Sequence, residues 1–151
     1  VYNEKGQKLA DLWKNTSPEA YLGTTVENLP NAFLILGPNV LVYDSFIGLA
    51  ESQLNYIIDG LLQIKNKAIR KIKIKPDVLV QHNQRVQKHL KKTVFNSGGC
   101  KSYYLDANGR NFAAWPWSLK ALKARLSQFD LKDYEVEYQP AESNIPEKVS
   151  I

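Results

Sequence analysis

Residues 31–57 read NAFLILGPNVLVYDSFIGLAESQLNYI: an apolar run of strand length, a break at Gly37-Pro38-Asn39, and an amphipathic stretch. A continuous apolar run such as Ala32–Leu36 is the pattern of a strand buried on both faces, typical of parallel sheets in α/β folds. From about Ser45, the residues Ile47, Ala50, Leu54, Ile57 and Leu61 recur at spacings of three and four, with Glu51, Ser52, Asn55 and Asp59 on other faces. That spacing predicts a helix packed on the strand before it. Asp44 or Ser45 can accept hydrogen bonds from its first free N–H groups as N-cap. A strand, a turn and a helix is the layout with which α/β proteins hold a phosphate or cofactor ring at a helix start. It is also how any ordinary βα unit is built.

Downstream, IRKIKIKPD alternates Ile72 and Ile74 with lysines, the period of a half-buried strand. Pro76 closes it and suits the first turn of a helix over about Asp77 to Val94, with Leu79, Val86, Leu90 and Val94 inward. GGCKSYYLDANGRNFAAWP reads as a β-hairpin, because Asn108-Gly109 accepts positive φ at both turn positions. Ser118 caps a third helix through about Phe129, carrying Leu119, Leu122, Leu126 and Phe129 on one face. DYEVEY is a short last strand, and the tail from residue 139 to 151 frays. Upstream, Lys5-Gly6 marks a turn, an amphipathic piece ends near Trp13, and residues 15–30 are irregular apart from a short extended piece at Tyr21 to Val26.

With 151 residues, 44% hydrophobic and 23% charged, the chain has the composition of a globular domain or a piece of a larger one. No apolar run approaches the roughly 18 residues of a membrane span. The N-terminus carries charges in place of a signal-peptide core. One cysteine, Cys100, cannot form an internal disulfide, so a reducing compartment fits and a cytoplasmic location is expected. The chain contains no methionine and starts at Val1, which leads to the expectation of a piece of a longer protein. Charge is uneven: residues 65–92 hold ten Lys/Arg against one Asp/Glu, whereas residues 1–64 hold three against seven. Such a face can attract an acidic partner or nucleic acid, and it is equally an ordinary solvated face.

Chemistry-bearing residues are few. His82 and His89 lie seven apart on one predicted helix, too far to share a metal without further ligands. Cys100 lacks a partnered histidine in any recognised signature and reads as a core thiol. There is no Ser-His-Asp arrangement, no glycine-rich dinucleotide fingerprint and no phosphate loop. No catalytic or metal-binding residue is assigned. The strand–Gly37-Pro38-Asn39–helix element is the one candidate cofactor contact, through N–H groups carrying about half a positive charge at the helix start.

Read together, EAYLGTTVENLPNAFLILGPN, SFIGLAESQLNYI and GGCKSYYLDANGRNFAAWP resemble the C-terminal part of class B flavin-dependent monooxygenases of the Baeyer–Villiger, cyclohexanone monooxygenase-like branch. The family reads Tyr-Leu-Gly, Phe-Pro-Asn-Leu-Phe and Gly-Pro-Asn where this chain has Tyr21-Leu22-Gly23, Leu29-Pro30-Asn31-Ala32-Phe33 and Gly37-Pro38-Asn39. Ser45, Glu51, Gln53, Tyr56 and Ile57 keep family places. The family's Gly-His-x-Ser is here Val42-Tyr43-Asp44-Ser45, and Phe95 and Tyr103 stand where the family has tryptophan. The resemblance runs from about Gly6 to Val136. It implies a C-terminal fragment of a flavoprotein with two dinucleotide-binding domains: a βα unit followed by a strand-helix-hairpin-helix subdomain. Both glycine fingerprints and the NADPH-binding residues would lie upstream of Val1.

On this resemblance Gly37, Pro38 and Asn39 line the flavin's pyrimidine edge. The helix from Ser45 stabilises negative charge on the reduced ring. The implied parent uses FAD, NADPH and O2 to insert one oxygen into a ketone or similar small organic substrate. The chain alone is expected to bind neither cofactor and to be inactive. Residues 1–64 are then the C-terminal part of an FAD-binding domain, 65–138 a surface subdomain and 139–151 the tail. Expected partners are the missing N-terminal domains and, through the unpaired strand 32–36, another copy of the chain. The competing reading is a non-catalytic remnant or interaction module whose 65–92 face binds an acidic partner. Nucleic acid ranks lowest, because no aromatic platform is interleaved with the lysines.

Overall fold

A computed structural model describes residues 1–41, 45–97 and 102–140. Along the chain lie the helix α1 (Leu9–Thr16), the long helix α2 (Phe46–Asn66), the strand β1 (Ile69–Ile74), and the helices α3 (Pro76–Leu90), α4 (Val94–Ser97) and α5 (Leu119–Arg125). A single 3-10 turn, Leu131–Asp133, leads into β2 (Tyr134–Tyr138). The architecture mixes helix and strand, with β1 and β2 as an antiparallel pair.

Local chemistry starts most of these elements. The Ser45 hydroxyl accepts a hydrogen bond from the Gly48 amide at 3.3 Å and caps α2, and Ser118 does the same for α5 through Ala121 at 3.2 Å. Pro76 opens α3, where its missing N–H leaves nothing unmet. Asn108-Gly109 turns the chain, with Gly109 at φ 72° and Asp106 Oδ1 accepting from the Asn108 and Arg110 amides. The strands beside that turn reduce to one bridge, Leu105 with Asn111. Residues 98–101, with Cys100, and the tail from 141 lie outside the described residues.

The sheet carries its apolar side inward. Ile72 pairs with Val136 and Ile74 with Tyr134, and Ile69, Ile72, Ile74 and Tyr134 are buried. Against this face pack α2, α3 with Leu79, Val86 and Leu90, and α5 with Leu122, followed by Leu126 and Phe129. Helix α2 approaches closely at Gly60, where a β-carbon would meet the Phe129 ring at 2.7 Å. Asp59 Oδ2 accepts from the Phe129 amide and Gln63 Nε2 donates to its carbonyl, both at 2.7 Å, so α2 holds that residue from either side. Behind the ring, Tyr56 and Tyr134 hydroxyls meet at 3.1 Å, and Tyr21 donates to Asp133 at 2.5 Å. Burial pushes these phenols up, Tyr134 to about 12.

Three expectations are corrected. Ala32–Leu36 forms no strand among the described residues: Asn31 and Leu36, at φ 55° and 54°, turn the chain at both ends of the run. The Leu34 amide bonds to Thr24 and the Leu36 amide to a side chain, so no ladder develops. The second correction concerns the inward face of α2. Leu49, Gln53, Tyr56, Ile57 and Gly60 are buried, whereas Ile47 is 73% exposed and Leu54 and Leu61 are also exposed. The helix has apolar residues on two sides, and the close seat of Phe129 on Gly60 selects which side turns in. Third, Val94 sits outside α3 on the separate turn α4 and is exposed.

Gly60→Val places two methyl groups in the Phe129 ring's position. It should destabilise the fold by about 1–3 kcal/mol, read as a lower urea midpoint with an unchanged slope.

Candidate functional site

The Gly37-Pro38-Asn39 turn is held by three side chains and one close backbone contact. A β-carbon on Gly37 would lie 2.4 Å from the Gly23 carbonyl oxygen, and one on Gly23 would lie 2.3 Å from Val40 Cγ1. Both positions therefore require glycine, Gly23 doubly so because its φ is 63°. Gly23 follows Leu22, at φ 50°, in a two-residue turn of positive φ closed by the Thr24 amide on the Tyr21 carbonyl. Gln53, fully buried, reaches both loops: Oε1 accepts from the Leu36 amide at 2.8 Å, and Nε2 donates to the Leu22 and Gly23 carbonyls.

Asn39 is 1% exposed and turned inward. Its Nδ2 donates to the Asn111 and Ala114 carbonyls at 2.9 and 3.1 Å, and its amide N–H donates to Phe112. Asn111 completes the clamp through Oδ1, which accepts from the Ala113 and Ala114 amides. The GRNFAAWP segment is thus fastened beneath the turn, and a bridge between Leu41 and Ala114 continues the contact. Asn39 Oδ1 is buried with no hydrogen-bond partner.

Above the turn lies a cleft of about 550 Å³ whose walls include Trp13, Leu36, Gly37, Pro38, Phe46 and Phe112. The lining is apolar except for backbone, so it suits a flat ring contacted edge-on by main-chain groups. Phe46 is the first residue of α2, which brings the helix start to the same cleft. Ser45 and the Ser45 carbonyl engage the Gly48 and Leu49 amides. The positive end of the helix dipole therefore lies beside the cleft. Of the four residues named from the sequence, Gly37 and Pro38 line the cleft, Ser45 caps the helix beside it, and Asn39 lies beneath. Val42-Tyr43-Asp44 falls outside the described residues. Gln53 and Asn111 escaped sequence reasoning as structural anchors. The available signal was a glutamine flanked on its own helical face by Leu49 and Ile57.

The remaining candidates lie elsewhere. His82 is buried between Tyr21 and Trp115, and its Nε2 accepts from the Leu22 amide at 3.4 Å. Burial, then Arg125 and Arg85, lowers its pKa to about 3. His89 is exposed on α3 against Trp117. Among the described residues no group of three His, Cys, Asp or Glu is placed to hold a metal ion, and no helix is long and apolar enough to cross a membrane. Part of the basic run is answered on the sheet: Lys71 pairs with Glu137 at 3.0 Å, and Lys73 with Glu4 and Glu135 at 3.0 and 3.1 Å. Lys88, Lys91 and Lys92 at the end of α3 are exposed.

No protein-family model matches the chain. It is 38% identical over 99% of its length to a Baeyer-Villiger monooxygenase of Streptomyces coelicolor and 36% identical over 93% to one of Pseudomonas aeruginosa. It is also 36% identical over 89% to the FAD-binding monooxygenase ktnD of Aspergillus niger. The chain spans only 29%, 27% and 23% of those relatives' lengths. Its fold matches 92% of this chain to a steroid monooxygenase solved with NADP (TM-score 0.81, 18% identity, 27% of that chain). A cyclohexanone monooxygenase from Rhodococcus sp. Phi1 solved with NADP+ matches equally far (TM-score 0.78, 24% identity, 27% of that chain).

Two outcomes follow from this geometry. Asn39→Ala removes two buried hydrogen bonds and leaves a β-carbon at positive φ without local compensation, which should cost about 2–4 kcal/mol in urea unfolding. For His82 the folded pKa lies below the unfolded value, so its contribution is whole above about pH 6.5 and is lost as pH falls toward about 3. The loss across that window is on the order of 5 kcal/mol. The His82 ring resonances should stay at their neutral positions in the folded protein at mildly acid pH while stability declines.

Proposed function

We infer that this chain, which belongs to the Baeyer–Villiger monooxygenase family, forms one wall of the flavin site in an FAD- and NADPH-dependent monooxygenase acting on a ketone or similar small organic molecule. The observation that carries the reading is the shared cleft: the Gly37-Pro38 backbone and the first turn of α2 open on one apolar space sized for a flat ring. When bound, the flavin supplies hydride acceptance from NADPH and activation of dioxygen.

The chain's own contribution is electrostatic and steric. Gly37, without a side chain, lets the main chain approach a ring edge. The start of α2 puts partial positive charge where a reduced ring carries negative charge, and in a dry cleft such fixed dipoles act at full strength. Trp13 and Phe112 keep water from that space. The exposed apolar side chains Ile35, Leu36, Phe46, Ile47 and Leu54 are the face on which the FAD- and NADPH-binding domains would seat. Burying five half-exposed residues of this kind is worth on the order of 5 kcal/mol. Residues 1–64 then belong to the FAD-binding domain and 65–138 to a subdomain on its surface. On the sheet, Arg70, Lys71 and Lys73 are paired with glutamates, which takes that part of the 65–92 face out of a role by charge alone.

A chimera tests the proposal: this chain replaces the matching portion of the Aspergillus niger FAD-binding monooxygenase. The chimera should retain flavin, seen as visible absorbance per protein, and consume NADPH with O2, while the 151-residue chain alone retains none. A folded chimera without flavin rules the reading out. Lys88, Lys91 and Lys92 changed together to Glu should leave flavin content unaltered, which an acidic-partner role does not require.

A further inference from the structure

Three residues bonded to one side chain occupy backbone conformations that L-residues avoid. Leu22, Gly23 and Leu36 have φ of 50°, 63° and 54°. In this region a β-carbon crowds the following carbonyl, and non-glycine residues persist there only where their surroundings over-determine them. Gln53 supplies that determination for two of them. Its Oε1 takes the Leu36 amide at 2.8 Å, and its Nε2 gives to the Leu22 and Gly23 carbonyls at 3.2 and 3.3 Å. The side chain is fully buried, so water cannot substitute for it.

Only a carboxamide meets both demands. A carboxylate accepts but has nothing to donate to two carbonyls, and an alkyl chain leaves two buried carbonyls and the part-buried Leu36 amide without this partner. Leu36 immediately precedes Gly37, so its backbone angle sets the direction in which the turn leaves the core. We propose that Gln53 is the positioning residue of the cofactor-facing turn: by fixing Leu36 in its left-handed conformation it holds the Gly37-Pro38 backbone at the height and tilt the flavin ring requires. This rests on the reading that Gly37 and Pro38 face the flavin. Gln53 itself touches neither cofactor nor substrate.

The test uses the same chimera with the Aspergillus niger relative. Gln53→Glu keeps size and shape. It should keep the helical circular dichroism yet weaken flavin retention at least tenfold near about pH 9, where the side chain is ionised. Retention should recover in part near about pH 6, where a protonated carboxyl regains one donor. The Gln53 chimera should show no such pH dependence. A second variant separates folding from positioning: Gln53→Met combined with Leu36→Gly, since glycine takes the positive φ without strain. That protein should fold and still hold flavin poorly, with a shifted visible spectrum where flavin remains. Equal flavin retention by Gln53→Glu at both pH values, or by the double variant, overturns the positioning role. If Gln53→Glu does not fold, the double variant decides. If the unaltered chimera holds no flavin, the flavin reading has failed and the positioning role falls with it. Flavin retained by the chimera and by every variant overturns the positioning role alone.

Discussion

The contact between the Gly23 carbonyl and Gly37 is the constraint around which the first half of the chain is arranged. A β-carbon on Gly37 would stand 2.4 Å from that oxygen, closer than any real side chain approaches. Two loops distant in sequence can meet this tightly only if both are turned sharply, and the turns put Leu22 and Leu36 at positive φ. Left-handed backbone costs about 1–2 kcal/mol per non-glycine residue. Three hydrogen bonds to the Gln53 side chain, each contributing about 1 kcal/mol net, offset much of it. The glutamine is in turn fixed by α2, whose C-terminal half is seated on Phe129 through Gly60. The seat on Phe129 and the hold on the turn lie about two helical turns apart on one rod.

Elements that depend on neighbouring residues were legible in the sequence, and those that depend on distant partners were not. Ser45, Ser118, Pro76 and Asn108-Gly109 act within four residues of themselves, and each starts or turns the chain where its chemistry dictates. The alternation of Ile72 and Ile74 with lysines likewise survives as β1. Ala32–Leu36 reads as a buried strand because its composition is right for one. Yet a strand is a relation between chains, and none of the described residues is placed to pair with it. Its apolar character is the mark of a partner, not of a local conformation. The face of α2 fails for a related reason: Ile47, Leu54 and Leu61 are as apolar as Leu49 and Ile57. A period of 3.6 cannot tell which of two apolar sides meets its own core.

The same reasoning explains what could be read of the site. Gly37 and Pro38 announce a turn by their residue types, and the cleft beside them follows. The inward role of Asn39 could not be read, because its partners, Asn111 and Ala114, lie more than seventy residues away. Nor could Gln53 be recognised, since a glutamine in a helix is ordinarily a surface residue. Charge was misleading in the opposite direction. Residues 70–73 look like a free basic face, yet β1 lies beside β2 with its alternating glutamates, and Glu4 closes over the pair. Cross-strand pairing of opposite charge makes this surface a lattice rather than a field.

A soluble chain usually exposes large apolar side chains singly. Here Ile35, Leu36 and Phe46 gather at an apolar cleft, and Ile47, Leu54, Ile58, Leu61 and Leu62 are exposed along α2. A helix that was merely a lid on its own core would gain from polar residues on that side, since every exposed leucine favours aggregation over solution. The inner side of α2 already satisfies the core through Leu49, Tyr56 and Ile57. Of the two apolar sides of this helix, the described residues cover one. The chain's relatives are more than three times its length. Under the proposed reading, the additional length of those proteins is the source of cover for the outer side of α2, and the cleft is the seam at which both bodies hold one ring.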